Sequence, residues 1–256
     1  MKKRRKGPWL GVFLFGGVML VLCACSTTHP KGDERYLTCM ERGGRAYESG
    51  RVVSAEADYQ AAFMRALATG NGLDAGNAAY NLAMIKALEG RQEEALLILH
   101  SGMDSVRAAE GDVTWDMFLL EAKILHALNR CREAQQSAEQ ALKAPGAEGG
   151  ENSIKLCMAQ IQWSLGQQEL CSKLLDELMK NKTLSPVLAA GCYQLRGDMG
   201  LKSGMAVDAG SDYAQAAKRY QSAGDFEEMA EMMWKASMAY EKGGSWSEAG
   251  NWACAA

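Results

Sequence analysis

Tyr193-Gln194-Leu195-Arg196-Gly197, followed by Gly204, Ala209, Tyr213 and Ala216, is the stretch that decides how this chain of 256 residues folds. A large residue comes first, then Gly four later, Gly seven after that, Ala five on, an aromatic four on and Ala three on. That order describes two helices separated by a tight turn. Small residues on the first helix and early in the second let the two backbones approach, and larger residues fill the next layer. The Gly between them tolerates the left-handed conformation that ends the first helix.

The same order recurs along the chain. It reads Ser237, Tyr240, Gly244, Ala249, Ala253 and Ala256 in the last copy, and Leu82, Ala83, Gly90, Ala95, Leu99 and Gly102 in an earlier one. The first copy has Gly44, Tyr47, Gly50, Ala55, Tyr59 and Ala62, with a first helix one residue short. Weaker copies run Ala122, Asn129, Ala134, Ala138, Ala141, and Ala159, Gly166, Cys171, Leu175, Leu178. Turn positions then fall at 50, 90, 129, 166, 204 and 244. This pattern resembles the tetratricopeptide repeat, with a spacing longer than that family's usual ~34 residues. The resemblance covers about 35–256 and implies an all-α, right-handed α-solenoid of about six helix hairpins. Composition agrees. Ala is abundant, there are four Pro, and no sustained alternation rich in Val, Ile and Thr marks a strand. Thr69 to Gly76 and Ala144 to Gly150 are turn-rich and are expected to separate repeats.

The amino terminus carries a second pattern. Lys2, Lys3, Arg4, Arg5 and Lys6 precede an uncharged, mostly apolar run that closes on Leu22-Cys23-Ala24-Cys25. A cationic start, a short apolar core and small residues before a cut make a secretory signal peptide. With Leu three before and Ala one before Cys25, it resembles a bacterial lipobox. The resemblance implies cleavage before Cys25 and acyl chains on that residue. The alternative is an uncleaved anchor, since the run from Pro8 to Ala24 is 17 residues, at the lower edge of what spans a bilayer. Ser26 after the cysteine implies, by resemblance to lipoprotein sorting in Gram-negative bacteria, an outer-membrane destination facing the periplasm. The expected organisation is a signal peptide at 1–24, an acylated cysteine and polar tether at 25–34, and repeats at 35–256. Without residues 1–24 the chain has 23 Lys+Arg against 31 Asp+Glu, a formal charge of −8. That balance argues against a nucleic-acid partner, and the lipid is expected to be the membrane contact.

Chemistry beyond the lipid is sparse. Cys39, Cys131, Cys157, Cys171, Cys192 and Cys254 fall at repeat positions that do not pair, so packed thiols rather than disulfides are expected. His29, His100 and His126 stand alone, with no Cys-x-x-Cys or His-x-x-x-His spacing for a metal. No nucleophile elbow or phosphate loop appears, so no cofactor, metal or catalytic residue is expected. Glu93-Glu94 and Glu227-Glu228 read as solvated helix faces. What remains is an interaction surface. The family resemblance implies that first helices line a concave face, here Asn77, Tyr80, Met84, Asp116, Leu119, Lys123, His126, Leu156, Gln160, Trp163, Gln194, Asp198, Leu201, Trp234 and Met238. The partner-binding groove is expected at Tyr80, Met84, Leu119, Lys123, His126, Gln160, Trp163, Asp198, Trp234 and Met238, with Trp163 central. The subclass that clamps a C-terminal carboxylate needs Lys and Asn in this face, and the matching positions lack them.

The function these features imply is an outer-membrane-anchored scaffold that binds a partner protein or extended peptide, similar in layout to the lipoproteins of this repeat family in envelope and pilus assembly. A small-ligand or glycan binder stacking on Tyr80, Trp163 and Trp234 is the alternative, and an envelope hydrolase is a third class. The last repeat, with Trp246 and Trp252, is a possible self-association surface. Substitution Cys25→Ser is expected to abolish fatty-acid labelling and leave a larger, uncleaved precursor on a gel. Continued acyl incorporation would place the lipid elsewhere.

Overall fold

The computed structural model describes residues 33–255, and every regular element among them is helical. They fall into two compact units, 33–154 and 155–255, divided within α7. The first contains α1 (Glu34–Glu48), α2 (Val52–Thr69), α3 (Gly72–Leu88), α4 (Gln92–Ala108), α5 (Trp115–Ala127), α6 (Cys131–Lys143) and the start of α7 (Glu151–Ser164). The second holds the rest of α7, with α8 (Gln168–Lys180), α9 (Pro186–Lys202), α10 (Ala206–Ala223), α11 (Phe226–Lys242) and α12 (Trp246–Ala255).

Each first helix ends at a residue whose φ lies in the left-handed region. These are Gly50 (+71°), Gly90 (+78°), Asn129 (+60°), Gly166 (+76°), Gly204 (+81°) and Gly244 (+78°), the six turn positions read from the sequence. The following N–H then donates to the carbonyl five residues back. The pairs are Arg51 to Ala46, Arg91 to Lys86, Arg130 to Leu125, Gln167 to Gln162, Met205 to Gly200 and Ser245 to Tyr240, all at 2.8–2.9 Å. This bond takes up one of the carbonyls that a helix end leaves without a partner. Side-chain caps at Asp33, Asn71, Ser185 and Asp225 satisfy amides at the starts of α1, α3, α9 and α11.

In two hairpins, α1–α2 and α9–α10, an aromatic ring of the second helix lies on a residue of the first that has no side chain. The ring of Tyr213 lies where a Cβ on Gly197 would be, 2.8 Å away. Sixteen residues apart again, Tyr59 lies on Gly43 in α1, also at 2.8 Å. The packing glycine of the first repeat is therefore not Gly44 but Gly43, which lies seven residues before the turn at Gly50, as Gly197 does before Gly204. Burying a side chain of this size is worth about 1.5–3 kcal/mol. An exposed pair such as Arg107–Asp104 at 2.9 Å is worth about 0–1 kcal/mol. Close packing, ring on glycine in these two hairpins, therefore sets their geometry, and surface charge does not. Among the described residues, one ion cluster has a buried cation. Lys86, 5% exposed, pairs with Glu56 and lies 3.6 Å from Glu94, while Arg91 reaches Glu56 at 3.1 Å. It ties α2, α3 and α4 together.

The expected loop at Thr69 to Gly76 is much shorter. Only Gly70 and Asn71 lie outside helix, and α3 starts at Gly72. Those glycines read as turn residues, but Gly72 and Gly76 are contact residues against α4. A Cβ on Gly72 would lie 2.1 Å from the Ser105 carbonyl, and one on Gly76 2.4 Å from Val106. Between α6 and α7, residues 144–150 do form a connection, with a 3-10 turn at Ala147–Gly149 and the Trp115 ring packed on Gly150. The signal segment and most of the tether lie outside the described residues.

The α3–α4 contact gives a paired test. A Cβ on Gly102 would sit 2.4 Å from that of Ala79, whereas one on Gly250 in α12 would meet nothing within 4 Å. Gly102→Ala is expected to destabilise by about 1–3 kcal/mol through overpacking. Gly250→Ala should stabilise by roughly 0.5–1 kcal/mol through helix propensity. Urea unfolding followed by circular dichroism measures both, and equal effects would rule out the packing account.

Candidate functional site

The ten expected groove residues divide sharply by exposure. Met84, Leu119, Gln160 and Trp163 are buried, at 5–8% exposure. Tyr80, Lys123, His126 and Asp198 are half-buried. Trp234 and Met238 are open, at 57% and 49%. The cause is the seam between successive first helices. In the second unit Leu156 of α7 lies directly under Gly191 of α9, where a Cβ would meet it at 2.8 Å. In the first unit α3 and α5 also touch. Side chains counted onto an open face by repeat position therefore sit between neighbours.

Trp163 is the largest of these corrections. It belongs to a core with Leu156, Ala159, Cys171, Leu175, Leu178, Cys192 and Leu195, and the Lys202 ammonium lies 4.4 Å from its ring centroid. It packs, and the central stacking platform expected for a peptide or a sugar is not available. Tyr80 is mostly enclosed as well. Burial pushes its hydroxyl pKa up, with added repulsion from Asp116 and Tyr47. His126 is pushed down by burial. His100 is pushed up by its 2.6 Å contact with Glu121, which bridges α4 and α5.

The structure brings polar residues together where α9, α10 and α11 meet. The Tyr213 hydroxyl donates to Asp198 Oδ1 at 2.6 Å, and the Tyr220 hydroxyl bonds Gln194 at 3.2 Å. From α11, the Lys235 ammonium reaches Glu231 at 3.0 Å and lies 5.9 Å from the Tyr213 ring centroid. Burial raises the pKa of Asp198, against the pull of Lys235 and the Tyr213 hydroxyl. Glu228 is not on a solvated face. Its Oε2 is buried without a hydrogen-bond partner. Burial, helped by Glu231 and Asp225, pushes its pKa up to about 8. The sequence signal for Glu228 was available: it lies four residues before Met232, a core residue 0% exposed, so it borders the buried stripe of α11. Glu227, its neighbour, is exposed as expected.

Elsewhere, a groove of about 600 Å³ runs between α8, α9 and α10, lined by Gln168, Ser172, Arg196, Met199, Met205 and Asp212 among others. The Arg196 guanidinium there is held by both oxygens of Asp212. The six cysteines are free thiols. Burial raises the pKa of Cys171 to about 11 and of Cys192 to about 12. Both belong to the Trp163 core. Among the described residues no group of three or more His, Cys, Asp or Glu is placed to hold a metal, and no helix is long and apolar enough to cross a membrane.

With this geometry in place, solved structures give the likeness. The chain aligns over 85% of its length with the apo form of the quorum sensor NprR from B. thuringiensis, at 14% identity and a TM-score of 0.67. It spans 62% of that chain. It also aligns over 85% with a tetratricopeptide repeat protein from Parabacteroides merdae, at 16% identity and a TM-score of 0.51, covering 99% of that chain. BtubC from P. vanneervenii matches at 16% identity with a TM-score of 0.56, 85% of this chain covering 86% of that one. The fold is tetratricopeptide-like. No protein-family model and no curated protein sequence matches the chain.

Glu228 makes stability depend on pH. Its folded pKa of about 8 stands above its ordinary value of 4.5, so its carboxyl is favoured protonated in the folded state. The stability it contributes is full below about 4.5, falls as pH rises through about 8, and then levels. Glu228→Gln is expected to flatten that fall and to melt above the parent at pH 9. Melting curves from pH 4 to pH 9 check this, and parallel curves for parent and variant would refute it.

Proposed function

We propose that this chain is an acylated, membrane-tethered helical-repeat adaptor that holds a segment of a partner protein, acting at the outer membrane on its periplasmic side. The tether rests on the lipobox-like sequence ending at Cys25, and the outer-membrane placement on Ser26. The binding role rests chiefly on one observation. Trp234 and Met238, one turn apart on α11, are large apolar side chains left 57% and 49% exposed. Aromatic and Met side chains at such positions are the usual anchors of protein interfaces. The tetratricopeptide-like fold supports the same role by analogy, which is weaker support than the surface itself. A glycan-binding role is less well supported, because it drew on Trp163, which is buried. In this role the protein carries no chemistry beyond its lipid, and its layout suits envelope or pilus assembly.

Site-specific photo-crosslinking in intact cells tests the role. A photoreactive residue at position 234 or 238 is expected to give a discrete adduct with one protein. Position 53, where Val53 is 77% exposed on α2, serves as the control and should give none. Absence of adducts from 234 and 238 would overturn the binding role.

A further inference from the structure

The α11 surface carries charge as well as apolar area. Glu231 stands three residues before Trp234, and Glu227 four before Glu231, so the carboxylates and the indole share one side of the helix. Asp225 caps the helix, Glu228 adjoins it, and Asp198 enters from α9. Among the described residues, one ammonium acts on this group. Lys235 pairs with Glu231 at 3.0 Å and also acts on Asp198 and Glu228. The Tyr213 hydroxyl satisfies Asp198 Oδ1, while Glu228 Oε2 has no partner. Burial favours the protonated forms of Glu228 and Asp198, but Glu227, Glu231 and Asp225 still outnumber Lys235 beside an open indole. A partner bearing acidic groups would be repelled there, and one bearing a cation would be drawn in.

We propose that the Trp234–Met238 face of α11 docks a lysine- or arginine-bearing segment of the partner, its cation seated between the Trp234 ring and the carboxylates of Glu227 and Glu231. This rests on the adaptor role proposed above and names the chemistry of its partner. A cation over an indole is attracted by the negative face of the ring. The aliphatic stem of a lysine can cover Met238 while its head stays at the carboxylates. The attraction is largely surface electrostatics, so it weakens with salt.

The test uses the full-length protein in detergent micelles and three fluorescein-labelled dodecapeptides. One alternates Lys with Ala, one alternates Glu with Ala, and one alternates Ser with Ala. Anisotropy is expected to show binding of the Lys peptide alone, weakened by salt. Trp234→Ala and Glu231→Gln, both surface changes verified by circular dichroism, should each weaken it at least about threefold, the effect of ~0.7 kcal/mol. Glu169→Gln, an exposed carboxylate on α8, should leave it unchanged. The proposal is overturned if the Glu or Ser peptide binds as tightly. It is also overturned if no peptide binds, or if the Lys peptide is indifferent to Trp234 or loses as much from Glu169→Gln. Loss of this peptide binding with the crosslink from position 234 intact would remove the cation chemistry alone. Loss of the crosslink would remove the adaptor role.

Discussion

Each hairpin depends on two backbones approaching closely, and in two of them, α1–α2 and α9–α10, closely enough for a ring to lie on a bare Cα. Tyr213 on Gly197 and Tyr59 on Gly43 are the plainest instances. The approach requires that the first helix stop at a fixed distance from the contact. The left-handed residue seven positions beyond each glycine does this, at Gly204 and Gly50. The 2.8–2.9 Å backbone bond that follows fixes the angle at which the second helix leaves. A side chain at the glycine or a right-handed residue at the turn would separate the helices, and the aromatic would lose its surface.

Once hairpins form, the seams between them decide what is open. Gly191 receives Leu156, and the core around Trp163 closes behind it. Larger side chains at the seam would have held α7 and α9 apart and left Trp163 accessible. Small residues thus act twice, within hairpins and between them, and each layer of close packing removes more side chains from water. Trp234 and Met238 escape because they point opposite to Met232, Ala236 and Ala239, the buried stripe of α11. The exposed apolar area there is a consequence of helix register.

Charge follows the same geometry. Lys86 is tolerated inside because Glu56 meets it across α2 and α3, and breaking such a buried pair is costly. Glu228 has no such partner, and the neighbouring carboxylates add to the cost of its own burial. A fold held mainly by apolar contacts can carry one such group, and it does so beside the open face of α11. The carboxylates open to a ligand cation there are those of Glu227 and Glu231, which share the side of α11 that carries Trp234.

Periodicity carried most of the architecture. The turns at 50, 90, 129, 166, 204 and 244 were legible because only Gly and Asn readily adopt φ near +70°, a local backbone property that sequence records directly. Helix class was legible for the same local reason. The role of Gly72 and Gly76 was not, because a glycine that allows a turn and one that allows a contact look alike until the facing helix is placed. Exposure at Met84, Leu119, Gln160 and Trp163 depended on how neighbouring first helices pack, a relation between residues far apart in sequence. Repeat position alone thus could not separate Trp234 and Met238, which are exposed, from Trp163, which is buried. The burial of Glu228, and the shortage of cations around it, came from three helices meeting, which tertiary structure alone decides.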